Sequence, residues 1–206
     1  MAVEWVVAAG VLVGASALLW GLSAWMTRRI ETTVPINGRF VEVDGERFHY
    51  VEEGKGPPLV MIHGLMGSSR NLTYALSGQL RERFRVITLD RPGSGYSSRG
   101  AHTAADLPAQ ARQIAAFIKT LDLDKPLVLG HSLGGAIALA LALDHPHAVS
   151  GLVLVAPLTH PQRLLPLVFL SLAVRPAWLR RWVSHTLTLP CLLYTSDAAD
   201  ERSSVD

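Results

Sequence analysis

Two regimes of apolar patterning divide this chain. From residue 5 to residue 26 no charged side chain interrupts a run of Val, Leu, Ala, Gly and Trp. A helix of that length reaches across a hydrocarbon core of about 30 Å. Beyond residue 38 the pattern becomes short and punctuated. Phe40-Val41-Glu42-Val43 alternates, and Asp44-Gly45 is a hairpin turn leading into residues 47–51, which predicts two antiparallel strands. Leu59-Val60-Met61-Ile62 is continuously apolar, the mark of a strand covered on both faces. A helix is predicted over residues 71–83, a strand over 84–89, a helix over 104–121, a strand over 127–129, a helix over 133–143 and a strand over 151–155. Strands alternating with helices at this spacing predict an α/β fold whose doubly wound sheet is mostly parallel.

The flanks of the first run decide how it is read. Trp5, Trp20 and Trp25 bracket it, where indole rings favour the headgroup level. Glu4 precedes the run and Arg28-Arg29 follow it, the reverse of a secretory signal. This asymmetry predicts one uncleaved transmembrane helix over residues 1–30, with the rest of the chain on the cytoplasmic side. A periplasmic domain is the alternative orientation. A cleaved signal, cut near Ala15-Ser16-Ala17 or Leu22-Ser23-Ala24, is the competing reading. Residues 31–38 then form a linker and residues 39–158 the α/β core.

Composition narrows the partners. Apolar residues make up 49% of the chain and charged residues 17%, which supports a packed core rather than disorder. Net charge is only +2, with no Lys/Arg cluster interleaved with aromatics, so no nucleic-acid partner is expected. Cys191 is the single cysteine, which excludes an internal disulfide and a cysteine-based metal site. The eight histidines are scattered, so neither a metal nor a cofactor is expected.

The chemistry is concentrated where the strand at 127–129 meets the next helix. There the sequence reads Gly130-His131-Ser132-Leu133-Gly134-Gly135. A serine flanked by glycines at such a corner is forced out as a nucleophile, because a Cβ on either flank would collide with strand or helix. The N-terminal N–H groups of the following helix face the place where an oxyanion would form. His63-Gly64, residues 90–98, Ser132 and Ala156-Pro157 all fall at carboxyl ends of predicted strands, where ligand chemistry sits in such sheets.

Over residues 40–157 the chain resembles the α/β-hydrolase superfamily. The resemblance is carried by His63-Gly64-Leu65-Met66-Gly67-Ser68, by Asp90-Arg91-Pro92-Gly93-Ser94-Gly95-Tyr96-Ser97, and by residues 130–135, in matching order and separation. It implies a serine hydrolase with Ser132 as nucleophile and the backbone N–H groups of Leu133 and Leu65 as oxyanion donors. His63, Gly64, Gly130 and Gly134 become structural parts of the two turns. His63 and His131 are not expected to be the base, and Asp90 is expected to hydrogen-bond its own loop. Gly93-Ser94-Gly95 looks like part of a phosphate cradle but lacks the third glycine opening a helix. Haloalkane dehalogenases and epoxide hydrolases in this superfamily carry aspartate where Ser132 stands. Ester, thioester, amide or carbon–carbon hydrolysis and acyl transfer stay open, as does a non-catalytic receptor on the same fold.

By that resemblance the catalytic acid and histidine follow further along the chain, and none of the remaining residues arrives on a strand end. Residues 159–190 look like the start of an apolar lid, which implies a hydrophobic or acyl small-molecule substrate. From Cys191 onward the sequence resembles the translation of a transposase-type sequencing adapter. Residues 191–206 are therefore expected to be a non-native tail, the acid and base to lie beyond residue 190 of the natural gene, and the fragment to be inactive or nearly so.

Overall fold

The computed structural model describes residues 2–33, 36–100 and 103–160. The chain divides into two compact units, residues 37–161 and a unit comprising residues 1–36 and 162–206. Apart from residues 159 and 160, the expected lid lies outside the described residues, as do the tail and Cys191.

In the first unit by sequence, helix α1 runs over Ala2–Thr33 without a break. Its length matches the expectation, but its apolar character falls short of it. Among the described residues no helix is both long and apolar enough to cross a membrane. Gly10, Gly14, Ser16, Gly21 and Ser23 dilute the apolar run, and the side chains at positions 8, 9 and 12 lie outside the description.

The second unit is one sheet of six strands in the order β1-β2-β4-β3-β5-β6. Here β1 is Arg39–Val43, β2 Glu46–Glu53, β3 Pro58–Ile62, β4 Arg85–Leu89, β5 Leu127–His131 and β6 Gly151–Val155. The hairpin β1–β2 turns at Asp44-Gly45, and β2 also pairs antiparallel with β4. The remaining pairs, β4–β3, β3–β5 and β5–β6, are parallel. The mostly parallel sheet is therefore present, with an antiparallel edge.

Successive residues of β3 bury opposite faces, as its unbroken apolar run requires. Val60 and Ile62 join the larger core with Phe48, Ile87, Ile114, Phe117, Val128, Ile137 and Leu141, beneath α4 (Leu107–Thr120) and α5 (Leu133–Asp144). Leu59 and Met61 join a smaller cluster on the other face with Leu72, Val86 and Leu129. That face is covered by a helical stretch in three parts: α2 (Ser69–Leu72), a π-helical turn (Thr73–Ser77) and α3 (Gly78–Leu80). It starts two residues earlier and stops three earlier than the predicted 71–83. Helix α4 starts at Leu107 rather than 104, because the Asp106 carboxylate accepts the Ala109 N–H at 2.8 Å and caps it there.

Strand order places the chemistry. After β3 the chain steps to β4 on one side, then crosses back to put β5 on the other side of β3. Such a reversal opens a crevice at the carboxyl ends of the two strands flanking it. The turn after β3 carries His63-Gly64, and the turn after β5 carries Ser132.

Candidate active site

Ser132 is the single residue between β5 and α5, and its backbone sits at φ 53° and ψ −118°. A side chain in that region costs on the order of 1–3 kcal/mol and persists only where the surroundings dictate it. They do so here from both sides. The Ser132 N–H donates to the Val155 carbonyl at 3.0 Å, and its own carbonyl accepts from Gly135 at 3.0 Å and Leu158 at 2.9 Å.

The flanking glycines are required by contact. A Cβ on Gly130 would stand 2.5 Å from the Gly134 carbonyl oxygen, and one on Gly134 would stand 2.1 Å from that of Ile62. Strand β5, helix α5 and strand β3 thus meet backbone to backbone. Gly64 belongs to the same junction, since a Cβ there would lie 3.0 Å from the Cβ of Ser132. The turn after β3 is pressed against the serine corner.

Between the two turns is a cleft of about 190 Å³, lined by Leu65, Met66, Leu72, His131 and Ser132 among others. Leu65 and Met66 are exposed at its rim, and Ser132 is half-buried. Neither the Leu65 nor the Leu133 N–H donates to another group among the described residues. Two unengaged main-chain donors, one from each turn, therefore flank a serine in a strained corner.

The sequence model of the family described as alpha/beta hydrolase fold matches residues 57–200. The chain belongs to that family. Haloalkane dehalogenase 2 of Mycobacterium tuberculosis is 36% identical over 123 residues, 58% of this chain and 42% of the relative. The chain spans less than half the length of that relative. Among solved structures, a membrane phospholipase A described as a bacterial virulence factor is similar at 30% identity, with a TM-score of 0.57, covering 84% of this chain and 55% of its own. Est816, an N-acyl homoserine lactone degrading enzyme, is similar at 30% identity with a TM-score of 0.53, covering 58% of this chain and 45% of its own.

Within this hydrolase core, the buried polar residues nearest the cleft are committed to its walls. The His63 ring donates from Nδ1 to the Gly64 carbonyl at 2.8 Å and accepts at Nε2 from the Arg91 N–H at 3.1 Å. Burial, reinforced by the neighbouring Arg91 charge, pushes its pKa down to about 4. With both ring nitrogens engaged and the ring neutral, His63 has no lone pair to offer Ser132. Asp90 is equally engaged. Its carboxylate accepts from Ser69 N–H at 2.6 Å, Tyr96 N–H at 3.0 Å and the His49 ring at 2.8 Å. Gly95, at φ +54°, lets the loop close onto that carboxylate, which a Cβ would strike at 2.2 Å. Residues 93–95 thus wrap a carboxylate of the protein itself, so the phosphate-cradle likeness has no vacancy behind it.

Asp144 and His147 are exposed at the far end of α5, and His160 shares a hydrogen bond with Thr159 at 2.9 Å. Among the described residues no side chain hydrogen-bonds the Ser132 hydroxyl, and no group of three or more His, Cys, Asp or Glu could hold a metal ion.

One residue of the site escaped sequence reasoning. Arg91 is buried, and its guanidinium donates to the His63 carbonyl at 3.0 Å, the Gly64 carbonyl at 3.0 Å and the Gln110 side chain at 2.9 Å. Burial, with the nearby Arg99 charge, lowers its pKa to about 10, which still leaves it cationic at neutral pH. The available signal was a second charge, after Asp90, just past the end of strand β4.

Proposed function

We propose that the whole protein is a serine hydrolase that cleaves acyl bonds, ester or thioester foremost, through an acyl-enzyme on Ser132. The observation that carries this reading is the Ser132 corner itself, a non-glycine residue at φ 53° in a cleft beside the Gly64-Leu65 turn. Strain of that kind is kept where presenting a side chain matters more than local stability. The hydroxyl attacks the substrate carbonyl, and the N–H groups of Leu133 and Leu65 receive the oxyanion of the tetrahedral intermediate. Each such donor is worth roughly 3–4 kcal/mol at the transition state.

An unaided serine is a poor nucleophile near neutral pH and needs a histidine oriented by a carboxylate. No described residue takes that part, and the family order of nucleophile, acid, then histidine puts both later in the chain than Ser132. The relative's dehalogenase activity is not transferred, because that chemistry by family resemblance uses aspartate where Ser132 stands.

A hydrophobic acyl substrate is supported by the apolar lining of Leu65, Met66 and Leu72 and by the likeness to a membrane phospholipase A. Attachment to a membrane through residues 1–30, with the core on the cytoplasmic side, is proposed on the charge-free run and its flanking arginines alone. Full-length protein that washes off membranes in alkaline carbonate would end that part of the reading.

The deciding experiment is covalent labelling of the full-length protein by a fluorophosphonate, expected to occur and to vanish in Ser132→Ala. Absence of labelling in the unmutated protein would favour the rival, a non-catalytic receptor on this fold. Acyl transfer is separated by product analysis: an added alcohol or thiol would capture the acyl group in preference to water.

A further inference from the structure

The Gly64–Leu65 peptide has two ends with different surroundings. Its N–H end belongs to Leu65 and carries no partner among the described residues. Its carbonyl end is gripped by three donors: the His63 Nδ1 at 2.8 Å, the Arg91 Nη2 at 3.0 Å and the Gly67 N–H at 3.3 Å. In a trans peptide the carbonyl and the N–H point in opposite directions within one rigid plane. Fixing the carbonyl therefore aims the N–H, and loading the oxygen with donors polarises the N–H at the other end.

Arg91 is an unusual residue to find in that position. A buried cation is costly unless its charge is met. Here all three guanidinium nitrogens find neutral oxygens, on His63, Gly64 and Gln110, and no carboxylate lies within salt-bridge range among the described residues. An apolar side chain would fill such a space at lower cost if filling it were the only task. The charge is instead left unneutralised and applied to two consecutive carbonyls of the turn beside Ser132.

We infer that Arg91 is a positioning residue for the reaction proposed above: its guanidinium holds the Gly64–Leu65 peptide in the one orientation that presents the Leu65 N–H to an oxyanion, and strengthens that N–H as a donor. The inference rests on Ser132 being the nucleophile. It assigns to Arg91 an effect on the transition state and almost none on the bound substrate. As negative charge grows on the substrate oxygen, the polarised peptide and the unpaired cation behind it both favour the change.

The test uses the full-length protein and p-nitrophenyl butyrate, with kcat and KM measured separately for Arg91→Lys and Arg91→Met. Binding of a trifluoromethyl ketone, which adds to the serine as an oxyanion, is measured beside binding of the product acid. In Arg91→Met, kcat should fall about 10- to 100-fold, somewhat less than loss of a whole oxyanion donor. KM and product binding should stay within about twofold, ketone affinity should fall in step with kcat, and Arg91→Lys should lie between, since it keeps the charge but not the fork. Where Arg91→Met fails to fold, Gln110→Glu decides, because it gives the guanidinium a carboxylate partner. It should lower kcat several-fold with KM unchanged, and a melting curve reads separately the loss of the Gln110 amide's donation to the Ala105 carbonyl at 2.8 Å.

An unchanged kcat in a folded variant, or a loss expressed in KM with ketone affinity intact, would overturn the role of Arg91. Turnover that survives Ser132→Ala would instead overturn the reading of the site. The two failures are thus distinct.

Discussion

Gly134 approaches the Ile62 carbonyl so closely that a Cβ would stand 2.1 Å from its oxygen. That contact joins the first turn of α5 to the end of β3, and with it the serine corner to the turn that bears Leu65. Neither partner is the flexible end of a side chain, so neither can yield without moving an element. Gly134→Ala should therefore cost at least about 3 kcal/mol and is expected to leave little folded protein. The matched control is Gly78, which begins α3 with helical dihedrals and nothing within 4 Å of an added Cβ. Gly78→Ala should stabilise by about 0.5–1 kcal/mol. Urea melts of the two variants beside the parent check both signs.

His63 makes the core sensitive to mild acid. Its folded pKa lies near 4, below its ordinary 6.5, so between those values the unfolded chain binds the proton and the folded chain does not. The stability it contributes is complete above about pH 6.5 and is lost as pH falls toward 4, by about 3 kcal/mol in all. His63→Gln should weaken the fold at pH 7, since it disturbs bonds to Gly64 and Arg91, yet flatten the acid limb. Unfolding free energies between pH 7 and pH 4 for both proteins supply the comparison. Parallel curves would remove His63 as the cause.

The parts of this fold that were legible in the sequence are those dictated by near neighbours. The covered strand β3 announced itself because Leu59, Val60, Met61 and Ile62 each need an apolar surrounding whichever face they take. The serine corner was legible because Gly130 answers to the Gly134 carbonyl within the same short stretch, although the limit on Gly134 itself comes from Ile62, far off in sequence. The helix after β3 was less so. Leu72, Leu76 and Leu80 repeat every fourth residue and face the smaller core, and that period cannot reveal a π-helical turn between Thr73 and Ser77. Arg91 was missed for a different reason. Its acceptors lie 19 to 28 residues away in sequence, and two of them are main-chain carbonyls, which no side-chain pattern records.

The strain at Ser132 separates two substitutions that both delete the hydroxyl. Ser132→Ala keeps a Cβ at φ 53° and so keeps the cost of the corner. Ser132→Gly removes the Cβ and that cost, offset in part by the greater freedom of glycine in the unfolded chain. The glycine variant should be the more stable of the two by about 1 kcal/mol, while fluorophosphonate labelling disappears in both. Equal melting temperatures would mean that the corner stores no strain.

Strand β6 predicts how the isolated chain associates. It hydrogen-bonds β5 on one side, and among the described residues its other edge has no strand partner. Val153, Leu154 and Val155 are each more than a third exposed, so that edge is apolar as well as open. An uncapped apolar strand is a template for another copy. The protein made from residues 37–160 should therefore self-associate as its concentration rises. A lysine resists edge pairing through its charge and need for water, so Val153→Lys should shift the species from large aggregates toward monomer. Val153 faces away from the larger core that Leu152 joins, so the substitution should leave the melting temperature almost unchanged. Light scattering against concentration, with and without Val153→Lys, provides the measurement. Association that is the same in both would shift the cause from β6 to another surface.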